Sequence, residues 1–294
     1  MFQNKKTKVY VLGASGFLGG LCAQYFRHQG VEVVADRVDV TDFTALRTVF
    51  KKHRPDAVIN FAGAKAYPTI DWCEDHKEET VRINVSGAIN AMTAALEAGC
   101  YPIQISSGCI YSCGPEKQFT EEDAPNFFGS FYSRMRIVLQ NALAELPVLS
   151  VRIRMPMSMT SHPRNIIDKI VAYKKVISIP NSVTLIEDLW PALKLLLEKK
   201  PLGVLNLTNE GYVEHKKILE AYKKIVDPKH VYELINLEQL EGPGGITKAK
   251  RSNCVLSIEK AKRLGISMPA LEENKMMEIM GAYKMSLSVS QKHV

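Results

Sequence analysis

The sequence predicts an α/β protein, a doubly wound parallel sheet followed by a smaller mixed C-terminal lobe. Three observations predict it. Short apolar runs alternate with amphipathic stretches through the first half of the chain, a glycine-rich turn directly follows the first run, and after about residue 155 the alternation stops where Pro156, Pro163, Pro180, Pro191 and Pro201 enter. Such alternation marks strand–helix–strand units, whose parallel strands are covered by helices on both faces. The prolines divide the remainder into short helices and strands. Residues 1–155 therefore read as one domain and 156–284 as a second lobe, with interleaving of the chain left open, and 285–294 reads as a frayed tail.

The elements follow in order. "KVYVLG" is the first strand and "FLGGLCAQYFRHQG" its helix; "VEVVAD" and "FTALRTVFKKHRP" form the next pair, and "AVINFAG" is the third strand. Two further units place the helical "KEETVRINVSGAINAMTAALEAGC" before "YPIQISS", and "SFYSRMRIVLQNALAEL" before "PVLSVRIR".

Composition excludes several classes. "KVYVL" is too short for a signal-peptide core and no apolar run approaches a membrane span, so a cytoplasmic protein without a membrane is expected. The six cysteines form no CxxC pair, which predicts no metal site and no dithiol motif. The net charge of +7 is scattered over helical stretches without interleaved aromatics, so no nucleic acid is expected and solvated faces explain it. An amphipathic helix such as 130–145 could form a homodimer face, as could any of its kind.

In "VYVLGASGFLGG" three glycines stand after a strand and at a helix start. Gly13 permits the tight turn, Gly16 lets the main chain approach a pyrophosphate, Gly19 allows close helix packing, and the helix N-terminus offers amides to phosphate. The domain thus reads as a Rossmann-type dinucleotide fold. Asp36 and Arg37, ending the second strand, argue in opposite directions: the acid would accept from the ribose hydroxyls of NADH, and the guanidinium would pair with the 2′-phosphate of NADPH. The short turn after Arg37 tilts the reading to NADPH. Ala62 and Gly63 give small residues where a backbone nears the cofactor, or small residues that merely pack.

In "FYSRMR", Tyr132 and Arg136 are four apart and share a helix face. Reducing a ketone needs an acid beside the oxygen, and a phenol with an ordinary pKa of about 10 exchanges protons better when a cation favours its phenolate. A Tyr-x-x-x-Arg alone is commonly surface decoration; its place after "QISSGCIY", where Ser107 can hold the substrate oxygen, lifts it.

The spacing G-x-x-G-x-x-G resembles the short-chain dehydrogenase/reductase superfamily, in which Asp39 and Val40 match an adenine-contacting acid and apolar pair; a plain loop acid is the alternative for Asp39. The strings "SSGCIY", "EEDAPNFFGSFYS", "RIRMPM", "HPRNIIDKI", "IPNSVTLIEDLWP" and "LNLTNEGYVEHKKILEAY" narrow this. From Gly13 to about Gly265 the chain resembles the bifunctional nucleotide-rhamnose synthases of plants and large viruses, which are UDP-4-keto-6-deoxyglucose 3,5-epimerase/4-reductases related to dTDP-4-dehydrorhamnose reductase and GDP-fucose synthase. Ordinary reductases of the group lack both the cysteine at 109 and "PNFFGSFYS".

The resemblance implies roles residue by residue. Ser107 and Tyr132 fall on the reductase hydroxyl and acid, Cys109 on the epimerisation thiol, and Lys169 on the group protonating the opposite sugar face. Cys109 would share a face with Ser107 if the strand persists; by itself it reads as a buried filler. Ser15, Phe17, Leu18 and Met155 join the cofactor set, and Trp72, Asn84, Asn126, Arg164, Asn165 and Arg251 the nucleotide-sugar set. Trp72 walls the sugar or is core, and Asn165 and Asn253 equally suit a turn or helix cap. His162 is a rival proton donor or a loop histidine, and Cys113 is incidental.

Two departures stand out. The family's lysine is Arg136 here, which keeps the charge but not the geometry or the transferable proton. Ser106 stands where rhamnose synthases carry glycine, which leaves the nucleotide open. The sequence therefore predicts an epimerase/reductase making UDP-L-rhamnose; its alternatives are a dTDP- or GDP-sugar 4-reductase, and an impaired NADP-binding regulatory subunit like that of methionine adenosyltransferase.

Overall fold

A computed structural model describes residues 6–64 and 68–290. Its main sheet has six strands in the order Gly203–Asn206, Leu149–Ile153, Tyr101–Ser107, Ala57–Asn60, Lys8–Leu12, Glu32–Val34. Lys8–Leu12 pairs in parallel with both Glu32–Val34 and Ala57–Asn60, and Ala57–Asn60 pairs in parallel with Tyr101–Ser107. Continuous apolar runs such as "VYVL" and "AVI" belong in strands buried on both faces, and Val9, Val11, Val58 and Ile59 have no exposed surface. The chain leaves the first strand toward Glu32–Val34 and returns on the other side to Ala57–Asn60. That reversal is the point at which open parallel sheets bind ligands, beyond the carboxyl ends of the strands.

The flanking helices start on sequence signals. Asp42 accepts from the Ala45 N–H to cap Phe43–His53, and Ser130 accepts from the Ser133 N–H to cap Phe131–Leu143. Leu46 and Phe50 pack with Tyr10, Leu12, Met92 and Leu139 in one core; each fully buried large apolar side chain contributes about 1.5–3 kcal/mol. Ala88–Glu97 enters this core through Ala88, Ala91, Ala94 and Ala95, small residues that permit close approach.

The described chain forms two compact units. The first comprises the chain up to Ile110, Phe128–Arg152 and Trp190–Leu205; the second comprises Tyr111–Phe127, Ile153–Leu189 and the chain from Asn206. The second has its own core, in which Met157, Ile167, Leu185 and Ile218 pack with Met276, Ile279, Met280 and Tyr283.

Several elements differ from the sequence expectations. "VEVVAD" yields only the three-residue strand Glu32–Val34. The stretch expected as one helix from Lys77 becomes Lys77–Val81, a π-helical turn Arg82–Gly87 and Ala88–Glu97. Pro191 does not end a helix but lies inside Ile186–Lys199. An internal proline costs about 3 kcal/mol, and burial of Leu189, Trp190, Leu193, Leu196 and Leu197 outweighs it. The tail read as frayed from 285 is helical through Ser290, because Met276, Met280, Tyr283 and Leu287 recur at helical spacing against the second core. Among the described residues, no helix is long and apolar enough to cross a membrane.

Candidate active site

Gly13 adopts φ +75°, where only glycine is unstrained, and its carbonyl accepts from the Gly16 N–H at 2.9 Å. A β-carbon at Gly13 would lie 2.7 Å from the Ala62 nitrogen and 2.9 Å from the Phe61 carbonyl carbon. Gly19 is buried and a β-carbon there would collide with the Gly13 carbonyl, so its closeness is to its own turn. Ser15 and Gly16 are exposed; Phe17 and Leu18 are half-buried at the helix start. Helix Phe17–His28 has no side-chain cap and no acid in its first turn, so its positive end is available to an anion. Gly13→Ala is expected to cost about 2–4 kcal/mol in chemical denaturation, from the left-handed φ and the displaced Ala62 backbone, and to weaken dinucleotide binding at least tenfold in a titration.

Val40 is buried, and a β-carbon at Gly87 would meet its side chain at 2.7 Å. The Asp39 carboxylate accepts the Thr41 N–H and hydroxyl, each at 2.9 Å, which holds it below the usual carboxylate range. Asp39 Oδ1 thus closes a local turn with Thr41. Asp36 lies 3.0 Å from His53 Nε2, and its main-chain carbonyl accepts the Tyr10 hydroxyl. Arg37 is exposed.

The loop after the third strand is held from two sides. Asn60 Oδ1 accepts the Ala62 N–H at 2.9 Å, and Asn84 Oδ1 accepts the Ala64 N–H at 2.8 Å. A β-carbon at Gly63 would approach Asn84 Oδ1 at 3.2 Å. Asn84 is buried on the π-helical turn, where its oxygen braces the loop after the third strand at Ala64. Asn60, which also donates to Gln104 Oε1 at 2.8 Å, escaped the sequence reading; its signal is an amide closing an apolar strand.

Ser107 ends its strand, and Cys109 lies beyond it in a turn. The expectation of a shared strand face therefore fails; instead the Cys109 N–H donates to Ser107 Oγ at 3.1 Å. That bond uses one acceptor position of the serine and leaves its O–H as a donor. Cys109 is half-buried, not the buried filler that Cys22 or Cys254 is. Tyr132 opens the helix capped by Ser130, whose first N–H, at Phe131, also donates to the Glu74 carboxylate. The Arg136 guanidinium carbon lies 5.0 Å from the Tyr132 ring centroid, a cation over the ring face. Arg136 Nε is buried with no hydrogen-bond partner among the described residues. Cys73, whose thiol burial pushes up, is close enough to Arg136 to feel its charge.

The remaining residues occupy the second unit. Burial, then the Arg164 charge, lowers the Lys169 pKa. His162 is likewise lowered, first by burial and then by Arg164, and its Nδ1 accepts the Arg164 N–H. Asn165 is fully buried: its Oδ1 accepts from Ser158 and Ile167, and its Nδ2 donates to the carbonyls of Ser158 and Thr160. It caps helix Ile166–Val171 and has no capacity left for a substrate. Asn126 bonds both main-chain groups of Ser112, which uses one of its acceptor positions and one of its N–H donors, and it is exposed. Arg251 Nη1 donates to the Ala249 carbonyl, and Asn253 accepts from Asn181 Nδ2. Met155 adopts φ +41°, a strained conformation for methionine. Trp72, in the first unit, is not core: it stacks on His76 with ring centroids 4.1 Å apart.

The first unit thus offers a close-approach glycine turn, an uncapped helix end and a buried unpartnered guanidinium nitrogen. All three suit a nicotinamide dinucleotide, and the comparisons with known proteins agree. The NAD dependent epimerase/dehydratase family matches residues 9–146. The bifunctional dTDP-4-dehydrorhamnose 3,5-epimerase/dTDP-4-dehydrorhamnose reductase of Arabidopsis thaliana is 35% identical over 260 residues, 86% of this chain and 85% of that protein. The chain belongs to this epimerase/reductase family. The crystal structure of the UDP-rhamnose synthase from Acanthamoeba polyphaga mimivirus superposes with a TM-score of 0.88 at 30% identity, covering 94% of this chain and 99% of that one. A trifunctional UDP-glucose 4,6-dehydratase/UDP-4-keto-6-deoxy-D-glucose 3,5-epimerase/UDP-4-keto-L-rhamnose-reductase of Arabidopsis thaliana is 35% identical over 259 residues, and the chain spans 39% of its length. The two relatives matched over most of their length are named as a dTDP-4-dehydrorhamnose 3,5-epimerase/reductase and a UDP-rhamnose synthase.

Proposed function

We propose that this chain epimerises C3 and C5 and reduces C4 of a nucleotide-linked 4-keto-6-deoxyhexose, taking UDP-4-keto-6-deoxyglucose to UDP-L-rhamnose with NADPH. The observation that carries the reading is the turn joining Cys109 to Ser107 at a strand end, in a unit that also holds the Tyr132–Arg136 pair. The UDP choice leans on the mimivirus relative, matched over nearly its whole length.

In this reading the Ser107 hydroxyl donates to the C4 carbonyl oxygen. It thereby holds the sugar and stabilises the enolate formed when the Cys109 thiolate takes a proton from C3 or C5. The resemblance gives the return of a proton on the opposite face to Lys169, whose lowered pKa suits proton exchange. A bound NADPH supplies the hydride to C4. Tyr132 delivers the proton to the C4 oxygen, and the Arg136 charge favours the resulting phenolate.

Purified protein given UDP-4-keto-6-deoxyglucose and NADPH in deuterated water should incorporate deuterium at C3 and C5 and consume cofactor. Neither signal with any of the UDP, dTDP or GDP substrates would sink the proposal. Arg136 sits over the ring face instead of reaching the hydroxyl, which supports a slow reductive half. Arg136→Lys is then expected to raise cofactor consumption about three- to tenfold while deuterium exchange stays constant. Tight NADPH binding with no turnover in either form would point to the regulatory reading.

A further inference from the structure

The acid that would accept from the ribose of NADH is not isolated. Asp36 Oδ2 lies 3.0 Å from His53 Nε2, an ion-pair distance at which the buried ring nitrogen makes no hydrogen bond among the described residues, with the Asp36 side chain half exposed and His53 largely covered. The imidazole is fixed on its other side: its ring meets Tyr10 edge-on with centroids 5.9 Å apart, and Tyr10 meets Phe50 at 5.2 Å. The Tyr10 hydroxyl then donates to the Asp36 carbonyl at 3.2 Å. The Asp36 carbonyl is therefore held by Tyr10 from the first strand, and its carboxylate stands at ion-pair distance from His53 of the second helix. His53 also lines an open depression with Lys6, Lys8, Glu32, Lys52 and Arg54, where Lys8 is answered by Glu32 at 2.7 Å.

We propose that His53 is a positioning residue that selects the dinucleotide by holding the Asp36 carboxylate. This rests on the reading that a nicotinamide dinucleotide occupies the Gly13–Gly19 turn. A carboxylate held against an imidazole presents less negative charge to a 2′-phosphate and accepts less readily from ribose hydroxyls. Arg37, exposed beside it, is then the group that reads the ribose, and NADPH is favoured. Releasing Asp36 returns a free acid to the ribose edge, which repels the phosphate and accepts from the diol of NADH.

The test is direct titration of the full chain with NADPH and with NADH. His53→Leu is expected to lower the ratio of NADH to NADPH dissociation constants about three- to fivefold, the scale of a partly exposed ion pair. His53→Arg, which keeps a cation beside Asp36 and guards against a misfolded leucine variant, should restore part of that ratio. In an Asp36→Asn background, His53→Leu should leave the ratio unmoved, a result that a purely structural role for His53 would not give. The inference is overturned if both His53 variants bind both dinucleotides with the wild-type ratio, or if the effect of His53→Leu persists with Asp36→Asn. Failure of the wild type to bind either dinucleotide would overturn the reading of the turn as well, which separates the two.

Discussion

Cys109→Ser is expected to reduce deuterium incorporation at C3 and C5 by about 10²-fold or more, the scale of losing a positioned proton-transfer group. Sulfur is a far better proton-transfer group than a serine oxygen, because a thiol ionises much more readily than an alcohol. The turn should survive, because its bond to Ser107 is made by the Cys109 main chain. NADPH titration and thermal unfolding should therefore match the wild type, while mass-detected exchange falls. Undiminished exchange in Cys109→Ser would remove the thiol from the mechanism.

Tyr132→Phe is expected to lower NADPH consumption by about 10²- to 10³-fold and to leave exchange at C3 and C5 largely in place. The ring remains as a platform for Arg136, which lies over its face, so the helix start capped by Ser130 should not move. Loss of exchange together with reduction would mean that the phenol also serves the enolate, and would join the two halves of the reaction at one acid. Retention of full cofactor consumption would exclude Tyr132 as the proton donor.

The central sheet was legible because its signals are local. Apolar runs between amphipathic stretches demand buried parallel strands, and glycine at 13 is the residue that a left-handed turn against Ala62 requires. Pro191 misled because a proline's cost is local too, while the burial that overcomes it comes from neighbours distant in sequence. The same holds for the tail, which is helical only because a core waits for Met280, Tyr283 and Leu287.

At the site, residue types were readable and their engagements were not. The sequence by itself determined a dinucleotide-binding sheet with a serine, a tyrosine and a cation spaced for reduction, since those depend on order and period along the chain. Only the tertiary structure decided that Cys109 sits in a turn bonded to Ser107, that Asn165 is spent on backbone while Asn84 braces Ala64, and that Asp36 stands 3.0 Å from His53. The physical reason is that a polar side chain's availability depends on which donors and acceptors folding brings to it, and those come from segments that periodicity cannot register against one another.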